Sequence, residues 1–197
     1  PQLGARTEIV KREGIEVMVA MDVSTSMLAE DVKPNRLIRA KQAVRSLLGR
    51  LQGDRIGLVA FAGAAYLQCP LTSDYSAVQL FLDGVDTETI STQGTAIGEA
   101  LHLAMKSFNY KQESQKVIIL LTDGEDHEGD PVAAAEDAAG QDIRVYPIGI
   151  GTPFGEPIPL RKSNGTTSDV KRDDTGSIVM SRLDEVTLEK IAARTSG

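Results

Sequence analysis

The stretch IEVMVAMDVSTSM, residues 15–27, decides the fold of this chain. It opens as a short apolar run rich in Val and Met, the pattern of a strand buried on both faces. It then breaks into Asp22, Ser24 and Ser26, three short oxygen-bearing side chains on alternate positions. Asp and Ser serve ordinary turns and helix caps. A turn has little use for three of them in register behind a buried strand, so the break reads as the rim of a site.

Working outward, strand-like and helix-like segments alternate. Residues 34–51 carry Leu37, Ala40, Val44, Leu47, Leu48 and Leu51 on one helical stripe, with Gly53 as the stop. Residues 55–61 (RIGLVAF) and 117–121 (VIILL) read as buried strands, and 144–150 (RVYPIGI) as a further strand. Residues 64–70 make a weaker strand that Pro70 confines to an edge or an end. Helices are expected from Ser73 or Asp74 to about 82, over 95–108, and over 132–139 behind Pro131. Residues 151–168 read as a loop, 170–172 and 177–180 as a hairpin joined by DDTG, and 183–194 as a closing helix capped by Asp184 or Thr187.

Apolar strands alternating with helices predict right-handed βαβ units. The fold class is therefore α/β, a doubly wound, mostly parallel central sheet with helices on both faces, plus a C-terminal β-hairpin insertion. The expected division is a polar lead-in over 1–14 and one domain over 15–197. In such folds ligands sit beyond the carboxyl ends of the strands. Asp22-Val-Ser24-Thr-Ser26 follows the first strand, and Thr122-Asp123-Gly124 follows VIILL. Thr95, behind Gln93-Gly94, opens a helix between them. Two carboxylates and three hydroxyls thus converge on one rim. An oxygen-only donor set suits a hard divalent cation. Two carboxylates only just balance its charge, so the ion would accept one more carboxylate from outside.

Composition narrows the partners. The 197 residues carry a net charge of −7, which disfavours phosphate backbones, and 4% aromatics without Trp leave no stacking platform for bases. Nucleic acid is therefore not an expected partner. The lone Cys69 excludes an intrachain disulfide and reads as a small buried apolar side chain. No apolar run reaches the ~20 residues of a membrane span.

The D-x-S-x-S of Asp22, Ser24 and Ser26, the loop Thr95 before a helix, and the T-D-G at Asp123 together resemble the metal-ion-dependent adhesion site (MIDAS) of von Willebrand factor A (vWA) domains. The fold such a resemblance implies is the Rossmann-like vWA fold. It also implies that Ser24, Ser26 and Thr95 bind the ion directly, and Asp22 and Asp123 directly or through water. The ion would be Mg²⁺ or Mn²⁺, with Ca²⁺ as a third candidate. A narrower likeness, carried by PQLG, LAEDVKPNRLIRAKQ, PLTSDY, QGTAIGEAL and SRLDEVTLEKIAARTSG, is to the bacterial aerotolerance (Bat, BatA/BatB-like) membrane proteins. It implies an inner-membrane protein whose soluble domain faces the periplasm. Other Bat-type proteins and a MoxR-type ATPase would be its partners. Contact with the membrane would run only through segments outside this sequence, and the start at Pro1 fits a cut just after a membrane helix.

The expected function is a metal-dependent protein–protein interaction module that takes a partner's Asp or Glu carboxylate, not an enzyme. A phosphotransfer enzyme with Asp22 as nucleophile is the first alternative. It lacks the second Asp of a D-x-D motif, since Ser24 stands there, and the chain has no P-loop and no nucleophile elbow. A structural scaffold whose metal stiffens the rim is the second. The acidic run Glu125, Asp126, Glu128 and Asp130 reads as a solvated loop, and its spacing is not that of an EF-hand. His127 reads as an exposed loop residue and His102 as a packed or surface side chain. Arg36, Arg39, Lys41 and Arg45 read as the solvated face of a helix.

Overall fold

The computed structural model of the protein describes residues 14–126, 129–161 and 167–197. Among the described residues nine strands and five helices follow in chain order: β1 Ile15–Asp22, α1 Arg36–Leu48, β2 Arg55–Phe61, β3 Ala65–Thr72, α2 Tyr75–Gly84, α3 Ile97–Lys106, β4 Gln115–Thr122, α4 Pro131–Ala139, β5 Arg144–Gly149, β6 Glu156–Pro157, β7 Pro159–Arg161, β8 Thr167–Val170, β9 Met180–Ser181 and α5 Glu185–Thr195. A 3-10 turn, Thr25–Leu28, follows β1 directly.

The central sheet has the order β3-β2-β1-β4-β5. β1 lies between β2 and β4 and is parallel to both, with Val19 opposite Leu58 and Ile119. Two-sided burial explains its unbroken apolar run, because Met18 through Met21 have no solvent exposure. β3 is antiparallel to β2 and closes one edge, and β5 closes the other. Each edge strand carries a proline, Pro70 and Pro147, where a missing N–H costs the ladder nothing.

One face of the sheet packs α1 and α2 through Leu37, Val44, Val78 and Leu82, and the other packs α3, α4 and α5 through Ile97, Leu101, Ala134 and Ile191. The helix starts are set by side-chain caps: Asn35 on α1, Asp74 on α2, Asp130 on α4 and Asp184 on α5. α1 ends at Leu48 with Gly49 as its cap, ahead of the stop expected at Gly53. Gly53 instead adopts φ +80 in the turn that leads to β2.

The segment expected to be a loop, 151–168, is more ordered than its Gly, Pro and Ser content suggests. β6 pairs with β9, and β7 pairs with β8, both antiparallel. The hairpin expected over 170–180 is present as an Arg172–Ile178 bridge turning at Asp173, whose carboxylate accepts the backbone N–H of Thr175 and Ser177. The insertion is thus folded back on itself between β5 and α5. Among the described residues no helix is long and apolar enough to cross a membrane. The lead-in over 1–13 and His127 and Glu128 of the acidic run lie outside the described residues.

Candidate metal centre

The carboxyl ends of β1 and β4 lie side by side, so Asp22 and Asp123 emerge at the same rim. Both are fully buried. Asp22 Oδ1 accepts the Ser24 N–H at 2.8 Å, and Oδ2 accepts the Thr122 hydroxyl at 2.7 Å. Burial, and after it the charge of Asp123, push the Asp22 carboxyl from 3.8 up to about 7, against these hydrogen bonds. The fold therefore favours the neutral form of Asp22, and among the described residues no cation acts on it to oppose this.

Asp123 has a different environment. Its Oδ2 receives Arg36 Nη1 at 3.0 Å and the Ser181 hydroxyl at 3.2 Å, while Oδ1 accepts the Glu125 N–H at 3.2 Å. Arg36 has no solvent exposure. Its remaining donors grip Asp31 in a two-point fork, Nε–Oδ1 at 2.9 Å and Nη2–Oδ2 at 2.7 Å, and Nη2 also reaches the Ser181 carbonyl. Burial works against both charges of the Arg36–Asp31 pair. Their mutual contacts, with Thr152 bonding Asp31 and the Asp123 charge beside Arg36, outweigh it, so Asp31 lies below the usual carboxylate range and Arg36 above its own ordinary value. A Cβ on Gly151 would come within 2.9 Å of the guanidinium, so only glycine leaves it room.

The expectation of a solvated basic face thus fails at its first member. Arg36 is the buried centre of an ion-pair network, whereas Arg45 stays on the surface and pairs with Asp83. The signal available in the sequence was position, because Arg36 is the first residue of α1 and points back toward the strand ends.

The three hydroxyls meet at one opening. Ser24 Oγ and Ser26 Oγ lie 2.9 Å apart, and Ser24, Ser26 and Thr95 line a cavity of about 170 Å³. Thr95 is held there by its loop: Gly63 N–H bonds the Thr92 carbonyl, and Ala96 N–H bonds the Ala62 carbonyl at 2.7 Å. The far wall comes from the insertion, through Ile158, Lys171 and Val179. The cavity brings Ser24, Ser26 and Thr95 together, with Asp22 bonded to the Ser24 N–H behind it; Asp123, at the neighbouring strand end, turns its Oδ2 to Arg36 and Ser181.

The acidic run is not a solvated loop where it is described. Glu125 accepts the Ser181 hydroxyl and the Arg182 N–H, tying the insertion to β4. Asp126 accepts the Ile97 N–H and so caps α3 from outside that helix, and Asp130 caps α4. His102 lies on the surface, 2.9 Å from Asp137. Cys69 is buried and free, with its thiol pushed up by burial.

Among the described residues no group of three or more His, Cys, Asp and Glu side chains is placed to hold a metal. A cation at this rim would rest on two carboxylates and three hydroxyls. The donor chemistry, oxygen only, fits a hard divalent ion.

The sequence profile of the von Willebrand factor type A domain matches residues 17–125, a span that holds all five rim residues. The fold is similar to an aerotolerance-related membrane protein of Bacteroides fragilis, with 42% identity and a TM-score of 0.88 over 93% of this chain and 89% of that one. BatB of Bacteroides thetaiotaomicron is similar at 44% identity and a TM-score of 0.88, covering 93% and 88%. A UPF0353 protein of Mycolicibacterium paratuberculosis is 33% identical over 158 residues, 75% of this chain and 48% of that protein. The chain spans about half the length of the curated relatives it matches. By the matched profile, the sheet order and these likenesses, the chain belongs to the von Willebrand factor type A domain family.

Proposed function

We propose that the domain is a non-catalytic interaction module. Asp22, Ser24, Ser26, Thr95 and Asp123 would hold Mg²⁺ or Mn²⁺ and present it to a partner protein's Asp or Glu. The observation that carries this reading is the rim itself: Ser24, Ser26 and Thr95 line one open cavity, and the buried Asp22 accepts the Ser24 N–H just behind it. When bound, the ion would supply a Lewis-acidic face for the incoming carboxylate. The chain's own part is to fix the donors. Thr122 and the Ser24 N–H hold Asp22, while Arg36 and Ser181 hold Asp123.

An Asp22 nucleophile fits less well, since its carboxylate is fully buried and both oxygens are hydrogen-bonded. Because the chain is acidic overall, an acidic partner has no long-range attraction to it, and the ion would have to supply the local one. Likeness to proteins described as membrane and aerotolerance-related supports placing the domain on a membrane-anchored protein. We extend that to a periplasmic domain working with other Bat-type proteins and a MoxR-type ATPase.

The test is calorimetric titration of the EDTA-stripped domain with Mg²⁺ and Mn²⁺, beside an Asp22→Ala, Ser24→Ala double variant. One-site binding that disappears in the double variant is the expected result. Equal binding by both proteins, or none by the wild type, would sink the assignment.

A further inference from the structure

The cavity over the rim is built by two parts of the chain that share no element. Ser24, Ser26 and Thr95 form its floor, and Ile158, Lys171 and Val179 of the insertion form a wall. That wall is fastened. Ser181 and the Arg182 N–H at its return bond Glu125, and Ser181 also takes Arg36 Nη1 at 2.6 Å. Within it, the Lys171 ammonium reaches across to donate to Thr25 Oγ1 at 3.0 Å, the hydroxyl between the two rim serines in sequence. Lys171 forms no ion pair among the described residues; Glu125, the carboxylate that lines the same cavity, is bonded to Ser181 and the Arg182 N–H instead. A positive charge is thus held at the mouth of a site whose donor chemistry calls for a cation.

We propose that Lys171 is a tethered second cation of this cavity. It weakens divalent-metal binding in the empty site and pairs with the anionic side chain that enters, so that metal and acidic ligand favour one another. The inference rests on the metal reading given above. The physical reason is reciprocal coupling. A fixed positive charge opposes an arriving 2+ ion, and an entering carboxylate is attracted by both, so each binding event lowers the cost of the other. The cavity, at about 170 Å³, is the size of a side chain and not of a helix face. The ligand is accordingly one projecting Asp or Glu, gripped between the ion and Lys171.

The test uses Mn²⁺ alone as probe, its binding followed by electron paramagnetic resonance of the free ion. Wild type, Lys171→Met, Lys171→Glu and a charge-matched control, Lys111→Met, are compared. Lys111 is exposed and lies before β4, at the opposite end of the strands from the rim. Lys171→Met is expected to bind Mn²⁺ about fivefold more tightly than wild type, with Lys111→Met unchanged. Lys171→Glu carries a carboxylate on nearly the same stem and is expected to bind more tightly than Lys171→Met. Mn²⁺ affinities of wild type and Lys171→Met within twofold of each other would overturn it while leaving the metal site standing. No uptake by any of the four proteins would overturn the metal reading itself, and this inference with it.

Discussion

Arg36 and Asp123 meet at 3.0 Å with neither side chain exposed, 87 residues apart in sequence. The pair joins the first residue of α1 to the carboxyl end of β4. Through Asp31 and Ser181 it also joins the loop between the 3-10 turn and α1 to the insertion. It gives the two rim aspartates unlike roles, since Asp123 is neutralised from within and Asp22 is not.

Removing the guanidinium leaves Asp31 and Asp123 buried without a counter-charge. Arg36→Met is expected to cost about 3–5 kcal/mol in urea denaturation, and Arg36→Lys to recover only part of that, since an ammonium cannot reproduce the fork. A loss below about 1 kcal/mol in both variants would show that the network contributes little.

Asp22 gives the metal-free domain a distinct pH signature. Its carboxyl is raised in the folded state, from 3.8 to about 7. The folded state therefore favours the protonated form. The stabilising contribution is full below pH 3.8 and is lost as pH rises through 7. In EDTA at pH 8, Asp22→Asn should be more stable than wild type by roughly 1–3 kcal/mol, with the gap closing at pH 4. Saturating Mg²⁺ should reverse the order at pH 8. Matching thermal scans in EDTA at pH 4 and pH 8 would contradict the strained-carboxylate account.

Gly63 holds the Thr95 loop by close approach, because a Cβ there would collide with the Gln93 carbonyl. Gly63→Ala must push residues 92–94 outward, and Thr95 with them. The expected result is Mg²⁺ affinity lowered about 10- to 100-fold by titration calorimetry, with a cooperative unfolding transition retained. Unchanged affinity would mean that Thr95 is positioned some other way.

The single Ser181 hydroxyl proton is shared between Asp123 and Glu125, and its oxygen accepts from Arg36, so one hydroxyl fastens the insertion to the rim. Ser181→Ala should cost about 1–3 kcal/mol, since it leaves buried polar partners unmatched. Hydrogen exchange at the Arg182 amide, which bonds Glu125, should quicken more than that of β1. Equal protection in variant and wild type would argue that β6 and β9 hold the insertion unaided.

Much of this was open to reading in the chain. Two-sided burial writes itself as unbroken apolar runs, so β1, β2 and β4 were legible, and Pro70 marked an edge strand. That Asp22 and Asp123 emerge at the same end of the sheet was legible because parallel strands deliver their carboxyl ends to one side. The reading of residues 151–168 as loop missed β6, β7 and the start of β8, strands two, three and four residues long. Pairs that short leave no periodicity to detect.

By itself, then, the sequence determined the layer order of the domain and which oxygens stand at the strand ends, since both follow from local pattern and chain direction. Only the tertiary structure decided that Arg36 is interior while Arg45 is not, that Glu125 fastens the insertion, and that Lys171 reaches the rim. Those facts depend on which side chains meet across 38 to 146 residues of sequence. The energy of a charge is set by what lies within a few ångströms of it in space, not by its neighbours along the chain.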